Sequence, residues 1–219
     1  MARFTRMAAH PSRLGDFLLL SGGKYADKSI KNVTITNDGT TLGNGHNGRV
    51  NRAFVFDGND RAIDTSITSN VDFAKGFTAM VILNAANSGE TGGRIFDKTA
   101  DDTGSAGVLL FTRSTNRISS RVLGGDIVSE SGTISYGAYE RIFVNCSVGR
   151  SCSIYKNLVL SVTAAGGNIA SITTNAQLRI GNRAFDKARD LNGTISTFLL
   201  TRVLSFVEIL KTDNFYRTH

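Results

Sequence analysis

Tryptophan is absent from the sequence, proline occurs once, at Pro11, and only two cysteines and three histidines are present among 219 residues. Without tryptophan there is no indole platform on which a sugar ring could stack, although five tyrosines remain. No apolar run approaches the roughly 18 residues a membrane-spanning helix needs. The apolar stretch near the N-terminus, Phe17 to Leu20, falls short of the core of a secretory signal and is followed by Ser-Gly-Gly. A chain without Sec export is the expectation. Cys146 and Cys152, in NCSVGRSCS, match no zinc spacing, and no second Cys/His pair completes a site. If a hairpin turns at Gly149 the two face each other and could form a cross-strand disulfide. Two cysteines in a chain without an export signal are, however, more often reduced, small hydrophobes.

Acids are scarcer than bases: 18 Asp and Glu against 25 Lys and Arg give a net charge of +7. No block of like charge exists. Arginines come singly, as at Arg49, Arg52, Arg61 and Arg94, with Arg3, Arg6 and Arg13 in the first 15 residues. No basic stripe interleaves with aromatics, so nucleic-acid binding is not expected.

Short alternating segments separated by Gly, Asn, Asp and Ser fill the body of the chain. They include RAFVFDG, GFTAMVILNA (76–85), RIFDK, GVLLFTR, RISSRVL, GTISYG (132–137), YERIFVNCSV, CSIYKNLVLSVTA, AQLRIGN and GTISTFLLTRVL. In 76–85, Phe77, Ala79, Val81 and Leu83 share one face and Met80 and Ile82 the other, so this strand is expected to be buried on both sides. Strands at 8–12-residue spacing indicate a sandwich or barrel. One helix is expected at 205–216. Ser205 is its N-cap, Glu208 completes a capping box, Phe206, Ile209 and Leu210 face inward, and Asp213 faces out. Residues 1–14 read as an extended arm before a domain at 15–219.

The order of several motifs resembles the concanavalin A-like superfamily, and within it the laminin-G-type domains. The carriers are Phe56-Asp57-Gly58-Asn59-Asp60, Tyr155-Lys156-Asn157-Leu158-Val159, Ile180-Gly181-Asn182, Leu191-Asn192-Gly193-Thr194-Ile195 and Leu204-Ser205-Phe206-Val207-Glu208-Ile209, with a weaker Ala26-Asp27-Lys28-Ser29 turn. The resemblance covers about residues 15–216. It implies an all-β, two-sheet antiparallel jelly-roll sandwich with a short C-terminal helix covering a sheet edge or end. Phe54 and Phe56 would point into the sandwich and Gly58 would take a positive φ.

Relatives that hydrolyse glucans carry paired carboxylates in a Glu-x-Asp-x-Glu arrangement, which is missing here. Asp101 and Asp102 are adjacent and would face opposite sides of a strand. His10 and His219 lie at the ends, His46 sits in the glycine-rich GNGHNG loop and reads as solvated, and no Lys-Ser/Thr follows that loop to make it a phosphate loop. An enzyme is not expected. Some laminin-G-type domains hold calcium at one rim, for which Asp57, Asn59 and Asp60, with Asp186 or Asp190, are the candidates. The preferred reading of Asp57 to Asp60 is a turn chosen for Asx hydrogen bonds, with no metal.

Two functions survive. The first resembles the stand-alone domains of tailed-bacteriophage particles: a non-catalytic virion protein, a capsid decoration or tail-associated subunit assembled in the host cytoplasm. Such a protein would dock on other shell subunits through Arg3, Phe4, Arg6 and Arg13, and could bury sheet edges against copies of itself. The alternative is a lectin-like, carbohydrate-binding module, with Tyr25, Tyr136 and Tyr139 near turns as aromatic candidates.

Overall fold

The computed structural model describes residues 18–218 apart from 30, 70, 91, 102–105, 149–150, 166–168 and 170–171. The arm and its docking candidates Arg3, Phe4, Arg6 and Arg13 lie outside the described residues. Among those described, fifteen strands run in the order β1 (Leu18–Ser21), β2 (Ile35–Asp38), β3 (Thr41–Gly43), β4 (Ala53–Asp57), β5 (Ala62–Thr65), β6 (Phe77–Ala85), β7 (Arg94–Lys98) and β8 (Val108–Arg113). There follow β9 (Arg117–Val122), β10 (Gly125–Val128), β11 (Glu140–Cys146), β12 (Ser151–Lys156), β13 (Val159–Ala165), β14 (Arg179–Ile180) and β15 (Asn192–Thr201). Among the described residues there are also two α-helices, a single turn α1 (Val71–Ala74) and α2 (Phe206–Thr218), and a 3-10 turn at Ser114–Asn116. The segment 132–137, expected as a strand, is a series of turns, and β10 takes the place beside β9.

The strands form two antiparallel sheets, the expected jelly-roll sandwich. One has eight strands, in the order β13-β12-β11-β6-β15-β4-β3, with β1 also paired to β15; the other runs β10-β9-β8-β7-β14-β5-β2. Phe54, Phe56, Phe77, Phe96 and Phe198 fill the space between the sheets and are at most 1% exposed. Phe77, Phe96 and Phe198 stack edge to face across it, at 6.4 and 5.7 Å between ring centroids. Met80 and Ile82 point the other way, as the alternation of β6 requires, into a second cluster under α2 with Phe143, Leu199, Ile209 and Tyr216. The helix therefore covers the outer face of the eight-stranded sheet and not an edge.

The turn at Asp57 to Asp60 joins β4 of one sheet to β5 of the other. Gly58 has φ +79° and Asp60 φ +57°. Asp57 Oδ1 accepts from the Asn59 N–H at 3.1 Å, an Asx turn. The capping box at Ser205 and Glu208 forms as expected, with Glu208 Oε2 accepting from the Ser205 N–H at 2.9 Å. The inward face of α2 differs from the expected one. Phe206 and Leu210 are 48% and 38% exposed, whereas Asp213 is buried at 2%. Asp213 turns inward because Arg141 of β11 meets it, Nε to Oδ1 at 2.5 Å. Cys146 and Cys152 stand directly opposite in the β11–β12 register and form a disulfide, so the reduced reading does not hold. Lys98 is fully buried and donates to the carbonyls of Thr68, Thr174 and Ala176. Burial lowers its pKa to about 8.

Candidate functional site

Alternation along β8 and β9 sends Val108, Leu110, Ile118 and Val122 into the core and leaves Phe111, Arg113, Arg117 and Arg121 on the outer face. The register places Arg113 directly opposite Arg117 and Phe111 opposite Ser119, while on the other side Arg94 of β7 pairs with Phe111. Like charges directly opposite on neighbouring strands are destabilising, so Arg113 and Arg117 oppose folding where they stand. The loop ahead of β15 adds Arg189. Together these side chains line a recess of about 500 Å³ whose lining holds five arginines and no acid.

Phe111 organises the recess. Its ring is 5% exposed and lies between two guanidiniums, Arg94 at 4.8 Å and Arg113 at 5.4 Å from the centroid. Gly92, with φ +96°, lets the chain pass: a Cβ there would lie 3.2 Å from the ring. Two carboxylates brace the arginines from behind. Asp97, fully buried, accepts from Arg94 Nε at 3.0 Å. Burial pushes the Asp97 carboxyl up, and Thr99 and Arg94 oppose this by hydrogen bonding and charge. Asp126 accepts two bonds from Arg121, at 2.5 and 3.1 Å, and meets Arg113 at 3.2 Å. Burial raises the Asp126 carboxyl, but Arg121 and Arg113 more than offset that and hold it low. Arg117 has no such brace: its Nε is buried without a hydrogen-bond partner. A buried unsatisfied donor costs about 1–3 kcal/mol, so Arg117 is held at a cost to stability.

The recess offers donors and positive charge, and its arginines stay charged at any ordinary pH. It contains no carboxylate pair, histidine or cysteine that could act as base or nucleophile. Its chemistry is that of anion capture by planar, bidentate donors.

The residues singled out from sequence fall elsewhere. His46 is half-buried and not freely solvated. Its Nε2 lies 2.9 Å from the Tyr216 carbonyl, which can only accept, so Nε2 carries the proton and Nδ1 accepts from Ser196 Oγ at 2.8 Å. Burial lowers its pKa. Tyr25, Tyr136 and Tyr139 are partly buried, each with its hydroxyl donated to a carbonyl, of Thr40, Arg113 and Asn44 respectively, so none is a free stacking platform. Of the calcium candidates, Asp60 lies beside Asp190, with Glu90 also near, while the others are paired elsewhere. Asp57 pairs with Arg61 at 3.3 Å, and Asp186 pairs with Arg183. Asp190 receives Asn182 Nδ2 at 2.5 Å; burial raises its carboxyl, against a hydrogen bond from the Asp60 backbone. Among the described residues no three His, Cys, Asp or Glu side chains are placed to hold a metal ion. No helix among them is long and apolar enough to cross a membrane.

No protein-family model matches this chain, and no curated protein matches it in sequence. Solved structures share its fold. The binding domain of Paraclostridial Mosquitocidal Protein 1 superposes with a TM-score of 0.74 at 14% identity, covering 94% of this chain and 53% of that one. Botulinum neurotoxin type C, whose entry into cells depends on two ganglioside molecules, gives 0.69 at 16%, over 94% and 52%. The binding domain of botulinum neurotoxin DC, solved with rat synaptotagmin II, gives 0.69 at 16%, over the same shares. The chain thus spans about half the length of these toxin binding domains. At such identities the likeness is one of fold: a two-sheet jelly roll of the kind found within bacterial toxin binding domains.

Proposed function

We propose that this protein is a non-catalytic binding domain that takes an acidic carbohydrate, one bearing sulfate or carboxylate groups, in the arginine recess. The observation that carries the reading is a recess lined by five arginines and no acid, with Arg113 and Arg117 directly opposite each other across the strands. Like charges opposed across a sheet cost stability, and a bound oxyanion would relieve that repulsion. The solved neighbours are binding domains by description, one of them ganglioside-dependent, which supports the reading in kind. A disulfide between two buried cysteines suits a chain that works outside the reducing cytoplasm. The particle-subunit reading rests on Arg3, Phe4, Arg6 and Arg13, which lie outside the described residues.

The test is a glycan array comparing sulfated, uronic-acid and sialylated glycans with their neutral cores, repeated with Arg117→Gln. Acidic glycans should be retained and neutral ones not. Arg117→Gln should weaken retention about tenfold or more, the worth of one charged hydrogen bond at about 1.5–3 kcal/mol. Binding of neutral glycans alone, or equal binding by the variant, would overturn the proposal.

A further inference from the structure

A second recess, of about 340 Å³, opens on the other sheet. It lies where the turn after β1, the glycine-rich loop 44–52 and the end of α2 meet, and its cationic lining residues are Lys28, Arg49 and Arg52, with no acid among the rest. None of these three forms an ion pair among the described residues. Two of them converge. A Cβ built on Gly22 would lie 3.4 Å from Arg52 Nη1 and 3.5 Å from Lys28 Nζ, so both heads close over the bare backbone of one glycine. Gly23 next to it tolerates no side chain either, because its Cβ would meet the Asn51 carbonyl at 2.2 Å.

Lys28 is anchored from below. Its ammonium donates to the Ser21 carbonyl at 2.7 Å and to Ser21 Oγ at 3.0 Å, which leaves the third of its N–H bonds over. Burial lowers its pKa, and the charges of Lys24 and Arg52 lower it further. His46 fixes the opposite wall. By bridging Ser196 on β15 to the Tyr216 carbonyl on α2 it ties the loop that carries Arg49 and Arg52 to the body of the sandwich. The sheet prepares this contact: the register between β15 and β6 slips between Ile195 and Thr197, and the irregularity falls on Ser196.

We infer that this recess is a second ligand site, for the doubly charged tetrahedral oxyanion of a phosphate, held between Lys28 and Arg52. Two converging cations without a counter-ion among the described residues match a group carrying about two charges at neutral pH better than a single carboxylate. Lys28 supplies a point charge and Arg52 a planar fork, the two modes by which phosphate is bound. The site is independent of the arginine recess, since it is built on the other sheet from different residues.

The test is calorimetric titration of the full chain with inorganic phosphate, glucose 6-phosphate and glucose, backed by the ring resonances of His46. Phosphate and glucose 6-phosphate should bind and shift His46, and glucose should not. A tighter fit for glucose 6-phosphate would make a phosphosugar the source, and equal affinity would make it free phosphate. Because the arginine recess can also take up anions, the second site is read from His46: Arg52→Gln should weaken the binding that shifts His46 tenfold or more, while Arg117→Gln leaves the His46 shift unchanged. Lys28→Gln should do the same as Arg52→Gln, and since Lys28 also holds Ser21, Arg52→Gln keeps the test decisive if that variant misfolds. No His46 shift with phosphate in the wild type, a His46 titration unaltered by Arg52→Gln, or one removed by Arg117→Gln would overturn the inference.

Discussion

Phe56 and Gly181 show how closely single residues are matched in this sandwich. Gly181 has φ +86°, and a Cβ on it would lie 2.0 and 2.1 Å from two carbons of the Phe56 ring, which is itself 1% exposed and unable to retreat. Gly181→Ala should therefore add backbone strain to overpacking and destabilise the protein by about 3 kcal/mol, read from chemical denaturation. A loss below about 1 kcal/mol would show that the ring can move. The sequence makes this partly legible: Phe56 is inward by alternation and Gly181 sits in the turn-forming Ile180-Gly181-Asn182, but only the fold brings the two together. The arginine recess was harder to see. Arg94, Arg113, Arg117, Arg121 and Arg189 come singly along the chain and look like scattered surface charge. The signal was present in the spacing: Arg117 and Arg121 are four apart on one strand, hence on one face, and a short turn sets Arg113 beside them. What no spacing supplies is the bracing by Asp97 and Asp126, which leaves Arg117 as the guanidinium with an unanswered Nε. His46 was misread for the same reason, because both its partners lie about 150 or more residues away in sequence.

At the scale of elements, local rules succeed where the chain answers to itself. The Ser205–Glu208 capping box is a four-residue pattern and forms as written. The facing of α2 depends on what waits beneath it. Arg141 of β11 draws Asp213 inward, and the neighbouring Phe206 and Leu210 are left outside. The same box sets a pH dependence. Glu208 is lowered to about 2, first by its hydrogen bond from Arg202 and then by the Ser205 backbone N–H. A carboxylate whose folded pKa lies below its unfolded value contributes stability that is fully present above about pH 4.5, and this is lost as pH falls toward 2. Because Glu208 and Arg202 are partly solvated, the contribution is discounted to about 1 kcal/mol. Glu208→Gln should cost about that much at pH 7. It should also flatten the fall in unfolding free energy between pH 4.5 and 2, as followed by thermal melts across that range. An unchanged acid limb in the variant would assign the loss to other carboxylates.

For the whole molecule, the sandwich closes on the strand that begins at Leu18. Leu18 and Leu20 are fully buried, and β1 runs antiparallel to β15 from Leu18↔Leu200 to Ser21↔Thr197, filling the flank that β4 leaves free after Ile195. Each buried leucine is worth about 1.5–3 kcal/mol, and the ladder bonds to β15 are lost with the strand. A chain starting at residue 15 should therefore melt as the full protein does and keep its acidic-glycan binding, because both the inter-sheet core and the arginine recess are built from Leu18 onward. A chain starting at residue 22 should lose more than about 4 kcal/mol, a large share of the stability of a domain this size, and either unfold or aggregate through the exposed edge of β15. Melting curves of the two truncations place the domain boundary between them. If removing residues 1–14 lowers the melting temperature by many degrees, the arm belongs to the core and the division at residue 15 is wrong. If it leaves folding and glycan binding intact but abolishes attachment to a particle, the basic arm with Arg3, Phe4, Arg6 and Arg13 is a separate docking device, and the two functions read from the sequence belong to different parts of one chain.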